Sequence, residues 1–348
     1  MQTKLDEAKT ELLARAARVA ENSPVGGRSQ SGAPTGTTSG AAPDQDMALA
    51  FLQRYYLHTA PEDLADRDPV DVFGAAFSHY RLAENRPQGT ANVRVHTPTV
   101  EENGWTCSHS VVEVVTDDMP FLVDSVTNEL SRQGRGIHVV IHPQVVVRRD
   151  VTGKLLEVLP TEAGAERPHD ALVESWIHVE MDRETDRADL KQITADLLRI
   201  LSDVRETVED WEKMRDAALR IADELPSEPT ADDLRDQEVE EARELLRWLA
   251  DNHFTFLGFR EYRLTEDDSL AAVPGTGLGI LRADPHHGDD HHPVSPSFNR
   301  LLRRRARQGP RAQAARPDQG QQPGDRPPPQ LPRLRRREEV RRRGQRRG

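Results

Sequence analysis

Hydrophobic and polar positions change period along this chain, and the changes mark its elements. Over residues 4–22 apolar side chains recur every three or four positions, placing Leu5, Ala8, Leu12, Ala16 and Val19 on one side of a helix. Residues 46–58 and 69–83 repeat the pattern, the second with Val72, Phe73, Ala76, Phe77 and Tyr80 as its buried stripe. Residues 23–45 hold Gly, Ser, Pro, Thr and Ala with almost no large apolar side chain. Such a segment has nothing to bury and is expected to be a disordered linker.

From 91 to 183 the pattern shifts toward alternation and β-branched runs. Residues 92–97 and 105–115 read as strands, the latter with Val111, Val112, Val114 and Val115. A turn and helix follow. Asp117 or Asp118 is the expected N-cap, Pro120 falls in the first turn, and Gly134 or Gly136 stops the helix. Its inner face is Phe121, Leu122, Val126 and Leu130. Strands are then expected over 137–148, 154–159 and 171–181. A long helix or helical pair over 186–225 repeats Leu190, Ile193, Leu197, Leu201 and Val204 at three-four spacing. A second helix is expected over 231–251. Residues 253–264 read as a strand whose alternation slips near Gly258, as a bulge would make it.

The order β-α-β-β-β, with helices on either side, gives an α+β fold. The expected divisions are a helix and linker over 1–45, an α+β domain over 46–185, a helical segment over 186–252, and the start of a second α+β domain over 253–300.

Composition separates the remainder. Residues 301–348 contain no Ser, Thr, Asn, Lys, Ile, Met, Phe, Tyr, Trp or Cys, types that supply 77 of the first 300 residues. At that frequency 48 consecutive absences have a probability on the order of one in a million. All ten types use codons beginning with A or T, so a GC-rich gene read one nucleotide out of frame accounts for the gap. The expectation is a frame-shifted, disordered tail on the N-terminal piece of a longer protein.

That tail distorts the charge. Its 16 Arg and four acidic residues sum to +12, against −12 for the whole chain, leaving residues 1–300 at −24. An acidic body argues against nucleic acid and anionic membrane as partners. The Arg-rich end also lacks any aromatic side chain to stack on bases. No apolar run reaches membrane-spanning length and the N-terminus is charged and amphipathic, so the expected compartment is the cytoplasm. The single cysteine, Cys107, excludes an internal disulfide and reads as a plain core or interface thiol on a strand.

Candidate chemistry is sparse. Gly275, Gly277 and Gly279 do not make a dinucleotide fingerprint, because Ile280 stands where the third Gly is needed. His286, His287, Asp289, Asp290, His291 and His292 are metal-capable, but consecutive loop residues rarely converge on one ion, and a solvated loop is expected. His138 and His142, with Asp117 and Asp118, are acid-base candidates. Helix caps and a polar strand face are the plainer reading. Trp105, Trp176, Trp211 and Trp248 are expected to pack in the core or between subunits. The corner at 117–125 sets helix N-terminal amides beside a sheet edge, which suits a carboxylate. Asp117, Asp118, Met119, Phe121, Asp124 and Ser125 are therefore candidate effector-binding residues, and no catalytic, cofactor-binding or metal residue is assigned.

The segments TDDMPFLVDSV (116–126), GIHVVIHPQ (136–144), ESWIHVEMDR (174–183) and HFTFLGFREYRL (253–264) occur in this order. Together they resemble the N-terminal region of the large, multidomain NAD-specific glutamate dehydrogenases of bacteria, over about residues 46–300. The resemblance implies ACT-like regulatory domains, assembly into homo-oligomers through them, and a distant dehydrogenase domain that uses NAD. The family's catalytic lysine, its acidic partner and its nicotinamide-binding fold have no counterpart here. The expectation is therefore a regulatory and assembly fragment that binds no cofactor and is itself inactive. The alternative is a free-standing ACT-like module that senses an amino acid.

Overall fold

The computed structural model describes residues 2–22, 45–160, 168–225, 236–264, 270–283 and 291–292. All lie in one compact unit spanning Met1–Pro293. The expected linker, the His-rich segment apart from the backbone of His291–His292, and the 301–348 tail lie outside the described residues.

Three helices come first: Gln2–Asn22 (α1), Gln45–Tyr55 (α2) and Pro69–Leu82 (α3). Asp68 caps α3 by accepting from the Val70 amide, and Pro69 suits the first helical position because it has no N–H to leave unpaired. The strand Asn92–His96 (β1) and a single turn Val100–Asn103 (α4) precede Ser110–Asp117 (β2). Then come Leu122–Arg132 (α5), Ile137–Ile141 (β3), Gln144–Arg149 (β4), Leu155–Val158 (β5) and Ala171–Met181 (β6).

Six of these strands form one antiparallel sheet in the order β1-β2-β6-β4-β5, with β3 also paired to β6. The long β6 pairs with the whole of β2, Ser110 facing Met181 and Asp117 facing Glu174. Along its other edge it pairs first with β4 and then with β3. The expected strand over 137–148 is therefore two strands, broken at His142–Pro143, where Pro143 cannot donate to the ladder.

Both faces of the sheet are covered. On one, Val112, Val114, Ile177, Val179 and Met181 meet Leu122, Val126 and Leu130 of α5 and the Ile193–Leu197–Leu201–Val204 stripe of the helix Arg187–Glu224 (α6). Burying each of these side chains stabilises by about 1.5–3 kcal/mol. On the other face Val115, Val145, Val147 and Trp176 pack under α1, α2 and α3. The first helix thus packs into the same core as this face of the sheet. It buries Leu12, Leu13, Ala16, Ala17 and Ala20, a face rotated from the expected one, and leaves Ala8 exposed.

The segment 186–225 is one continuous 38-residue helix rather than a pair. The later elements are Asp236–Trp248 (α7), a π-turn at Leu249–His253, and the short strands Gly258–Phe259 (β7), Tyr262–Leu264 (β8), Leu270–Ala272 (β9), Leu278–Gly279 (β10) and His291–His292 (β11), of which α7, the π-turn, β7 and β10 pack on α6. The expected strand 253–264 is divided, since β7 pairs with β10 and β8 with β9 in separate small sheets. Among the described residues, no helix is long and apolar enough to cross a membrane.

Candidate functional site

The corner between β2 and α5 is braced by ion pairs and hydrogen bonds from several elements. Asp117 ends β2 and accepts from Arg86 (2.7 Å) and from Arg205 on α6 (2.9 Å), with the Gly89 amide at 3.0 Å. Burial pushes its carboxyl up, but the hydrogen bonds and charges of the two guanidinium groups outweigh burial and hold it below the usual carboxylate range. Arg86 is fully buried and also reaches Glu174 (2.6 Å), which Arg149 grips from the other side (2.6 and 2.8 Å). Gly153 makes this possible: with φ at +91° its Cα approaches the Arg86–Pro87 backbone so closely that a Cβ would lie 2.5 Å away.

Asp118 accepts from Ser175 Oγ (2.6 Å) and Gln144 Nε2 (2.9 Å). Neither aspartate caps α5, contrary to expectation. The cap is Phe121, with a left-handed backbone (φ 71°, ψ 0°) and no side-chain hydrogen bond to the helix start. The cause is that both carboxylates are already committed to the sheet and to arginines. Phe121 is 47% exposed rather than on the inner face of α5. Beside it opens an apolar cleft of about 300 Å³, lined by Pro120, Phe121, Thr207, Val208, Trp211 and Thr255. Asp124 lies in the first turn of α5, Met119 packs against the core below, and the Ser125 amide closes that turn on the Phe121 carbonyl.

The acid-base candidates separate. His138 pairs with Asp182 (2.8 Å), on another edge from Asp117 and Asp118. His142 reaches Asp118 only through Ser175 Oγ, at 2.9 Å. Its pKa is lowered by burial, against the opposing pull of Asp118. Cys107 sits in the loop before β2, because that strand begins at Ser110 and not at 105. Burial pushes its thiol up to about 11, the inert direction. Trp105 and Trp176 are core residues, Trp211 lines the cleft, and Trp248 is half exposed against His253.

Sequence reasoning missed the ionic layer under α2 and α3. Glu113, Glu174, His178 and Glu180 are all essentially buried on one face of β2 and β6. Arg94 serves Glu113, and Arg67 serves both oxygens of Glu180. His79 is neutral by construction: the Tyr55 hydroxyl donates to Nδ1 (2.8 Å) and Nε2 donates to the Val114 carbonyl (3.0 Å). Burial holds its pKa well below the usual value. The signal was present as Glu174, His178 and Glu180, which fall on one face of a strand whose other residues are apolar apart from Ser175.

Residues 51–197 match the family described as glutamate dehydrogenase, ACT1 domain. That span runs from α2 through the sheet to the first turns of α6. This part of the chain belongs to the glutamate dehydrogenase ACT1 family. Full-length relatives agree with the ACT1 assignment. The chain is 37% identical over 249 residues to an NAD-specific glutamate dehydrogenase of Halomonas elongata, covering 69% of this chain and 15% of that protein. It is 35% identical over 217 residues to the Pseudomonas aeruginosa protein of the same name, with 62% and 13% covered. For the Mycobacterium tuberculosis protein of that name the identity is 31% over 209 residues, with 59% and 12% covered. The chain thus spans about an eighth to a seventh of the length of these relatives.

The NAD named for those relatives does not fit the residues described here. The ACT1 sheet is antiparallel throughout, and among the described residues no parallel strand–glycine loop–helix unit exists to cradle a pyrophosphate. Gly275 and Gly277 lie in a turn before β10, with no helix after them among the described residues. The cleft at Phe121 crosses the boundary of the ACT1 match, since Thr207, Val208, Trp211 and Thr255 lie beyond residue 197.

Proposed function

We propose that this chain is the N-terminal regulatory and assembly region of an NAD-dependent glutamate dehydrogenase. The complete enzyme would convert glutamate, NAD⁺ and water to 2-oxoglutarate, ammonium and NADH. The observation that carries this reading is the ACT1 match over the whole central sheet, together with relatives aligned well past it. On this reading the dinucleotide site belongs to another part of the enzyme, and the purified 348-residue chain is inactive. Glutamate-dependent NADH formation by that chain would overturn the assignment.

On the same reading an amino-acid effector would bind at the β2–α5 corner. Its carboxylate would meet the N-terminal amides of α5 around Phe121, which no side chain caps. Its ammonium would meet Asp118 or Asp124, and its side chain would enter the apolar cleft against Trp211. Asp117 serves as a brace, held by two arginines. Calorimetry against the twenty amino acids is the test. Heat from at least one of them, with affinity reduced at least tenfold by Trp211→Ala, is expected, and no heat from any removes the effector role. Light scattering tests assembly: a mass above that of one chain is expected, and a monomer at every concentration refutes it. The composition break at Leu301 supports a frame change there. Resequencing the gene across codons 297–311 is expected to reveal it, and an unchanged frame excludes it.

A further inference from the structure

On the exposed flank of the buried ionic layer, three groups that sequence separates by some seventy residues converge. Cys107 and His109 lie on the loop before β2, and Glu180 lies near the end of β6. Their ligand atoms, the Cys107 sulfur, a His109 ring nitrogen and a Glu180 oxygen, all lie within 4.8 Å of one another. His109 Nδ1 is 3.4 Å from Glu180 Oε2, and the His109 amide donates to the Cys107 sulfur at 3.5 Å. We propose that Cys107, His109 and Glu180 hold a divalent cation of the zinc class.

A bound Zn²⁺ would displace the Cys107 thiol proton to solvent, giving thiolate, imidazole and carboxylate, a donor set that Zn²⁺ accepts, and three protein ligands leave the fourth position for water. Zinc–ligand lengths of about 2.0–2.3 Å put tetrahedral donors roughly 3.5 Å apart. The three atoms therefore need to close by little more than about an ångström.

The surroundings are organised as a metal site requires. Trp105 anchors the loop in a slot beside Gly74, where any Cβ would lie 2.3 Å from the Trp105 side chain. The Thr106 amide is tied to Asp71 (2.8 Å), and Arg183 holds the Cys107 carbonyl (3.0 Å). The His109 ring stacks on His138, with centroids 4.0 Å apart, and His138 is itself fixed by Asp182. Partners of this outer kind orient ligating side chains.

A second observation points to a ligand. His178 is fully buried with neither ring nitrogen hydrogen-bonded, and its Nε2 lies 3.6 Å from Glu180 Oε1. An imidazole aimed at the same carboxylate gains a partner when that carboxylate turns to share its oxygens with an ion. Arg67 grips both Glu180 oxygens, which competes with a cation. A ligating carboxylate keeps hydrogen bonds to its second oxygen, so Arg67 need yield only one of the two.

Cys107 is the only cysteine, so its alkylation reports on the site in the unaltered full chain. One equivalent of Zn²⁺ is expected to slow that alkylation at least tenfold, with a chelator restoring it. An unchanged rate overturns the proposal. Co²⁺ titration is run in a His291→Ala, His292→Ala background, which removes two histidines of the other metal-capable segment. A thiolate-to-cobalt charge-transfer band saturating at one equivalent is expected. Cys107→Ser should abolish the band, and His109→Gln should weaken binding at least tenfold, with far-ultraviolet dichroism unchanged. Absence of the band, or its survival in Cys107→Ser, overturns the proposal.

Discussion

Phe121 holds a left-handed backbone that costs a non-glycine residue about 1–2 kcal/mol. The β2–α5 corner imposes it, because Asp117 and Asp118 on one side and Leu122 on the other are fixed. Phe121→Gly is therefore expected to stabilise by up to about 1 kcal/mol, read as a higher urea midpoint, while Phe121→Val destabilises. A clear loss on Phe121→Gly would show that the exposed ring carries more packing than strain. Glu174 is the opposite case, a buried carboxylate serving two buried guanidinium groups. Glu174→Gln leaves Arg86 and Arg149 without their counter-charge and is expected to cost about 3–5 kcal/mol in denaturant unfolding. A loss under about 1 kcal/mol would mean that water or Asp117 compensates. His96 titrates with folding: burial first, then the Arg94 charge, lowers it to about 3. With the folded value below the unfolded one near 6.5, its contribution is complete above about pH 6.5 and is lost as pH falls toward 3. The slope is at most about 1.4 kcal/mol per pH unit for one withheld proton. His96→Asn should flatten the decline in urea midpoint between about pH 6.5 and 4. An identical pH profile would assign the decline to other groups, among them His79 and His142, which are lowered in the same direction.

At the scale of elements, α6 does two jobs along its 38 residues. Its first half closes one face of the sheet through Ile193, Leu197, Leu201 and Val204. Its second half holds the chain at Leu257, whose carbonyl accepts from Thr207 Oγ1 (3.1 Å). Asp210 accepts from the Gly279 amide (3.0 Å) and from Arg282 (2.9 Å). Asp210→Ala should cost about 1–3 kcal/mol locally by leaving that buried amide without an acceptor. Hydrogen exchange is expected to accelerate over 278–282 while β2 and β6 keep their protection. Uniform acceleration across both regions would mean that α6 and the sheet open as one unit.

For the whole molecule, the compact unit Met1–Pro293 contains every buried element of the sheet and its two helical layers. The chain cut after Pro293 is expected to keep the melting temperature of the full chain within about 2 °C, because a tail without aromatic residues or Ile and Met from 301 onward has little to add to a core. A drop of several degrees would give residues 294–348 a structural part. The cleft at Phe121 is also a property of this scale, since its walls come from the β2–α5 corner, α6 and the chain after α7.

By itself the sequence determined the elements with strong periods, β6 at 171–181 and α3 and α6 within a residue or two, while α5 starts at Leu122, later than a cap at 117 or 118 would set it, and the strand expected over 137–148 is two. Apolar periodicity is a local property, so β6, α3 and α6 could be read without contacts. It also carried the family resemblance through four short segments. Tertiary structure decided the rest. His178 is buried because α1, α2 and α3 cover its face of the sheet. Asp117 and Asp118 read as caps, but arginines from distant positions, 86 and 205, and Ser175 claim them first. The convergence of Cys107, His109 and Glu180 depends on the β2–β6 register. Partner choice among charged and polar groups is set by which ones the packed layers bring within about 3 Å in the absence of water, and no local pattern along the chain encodes that distance.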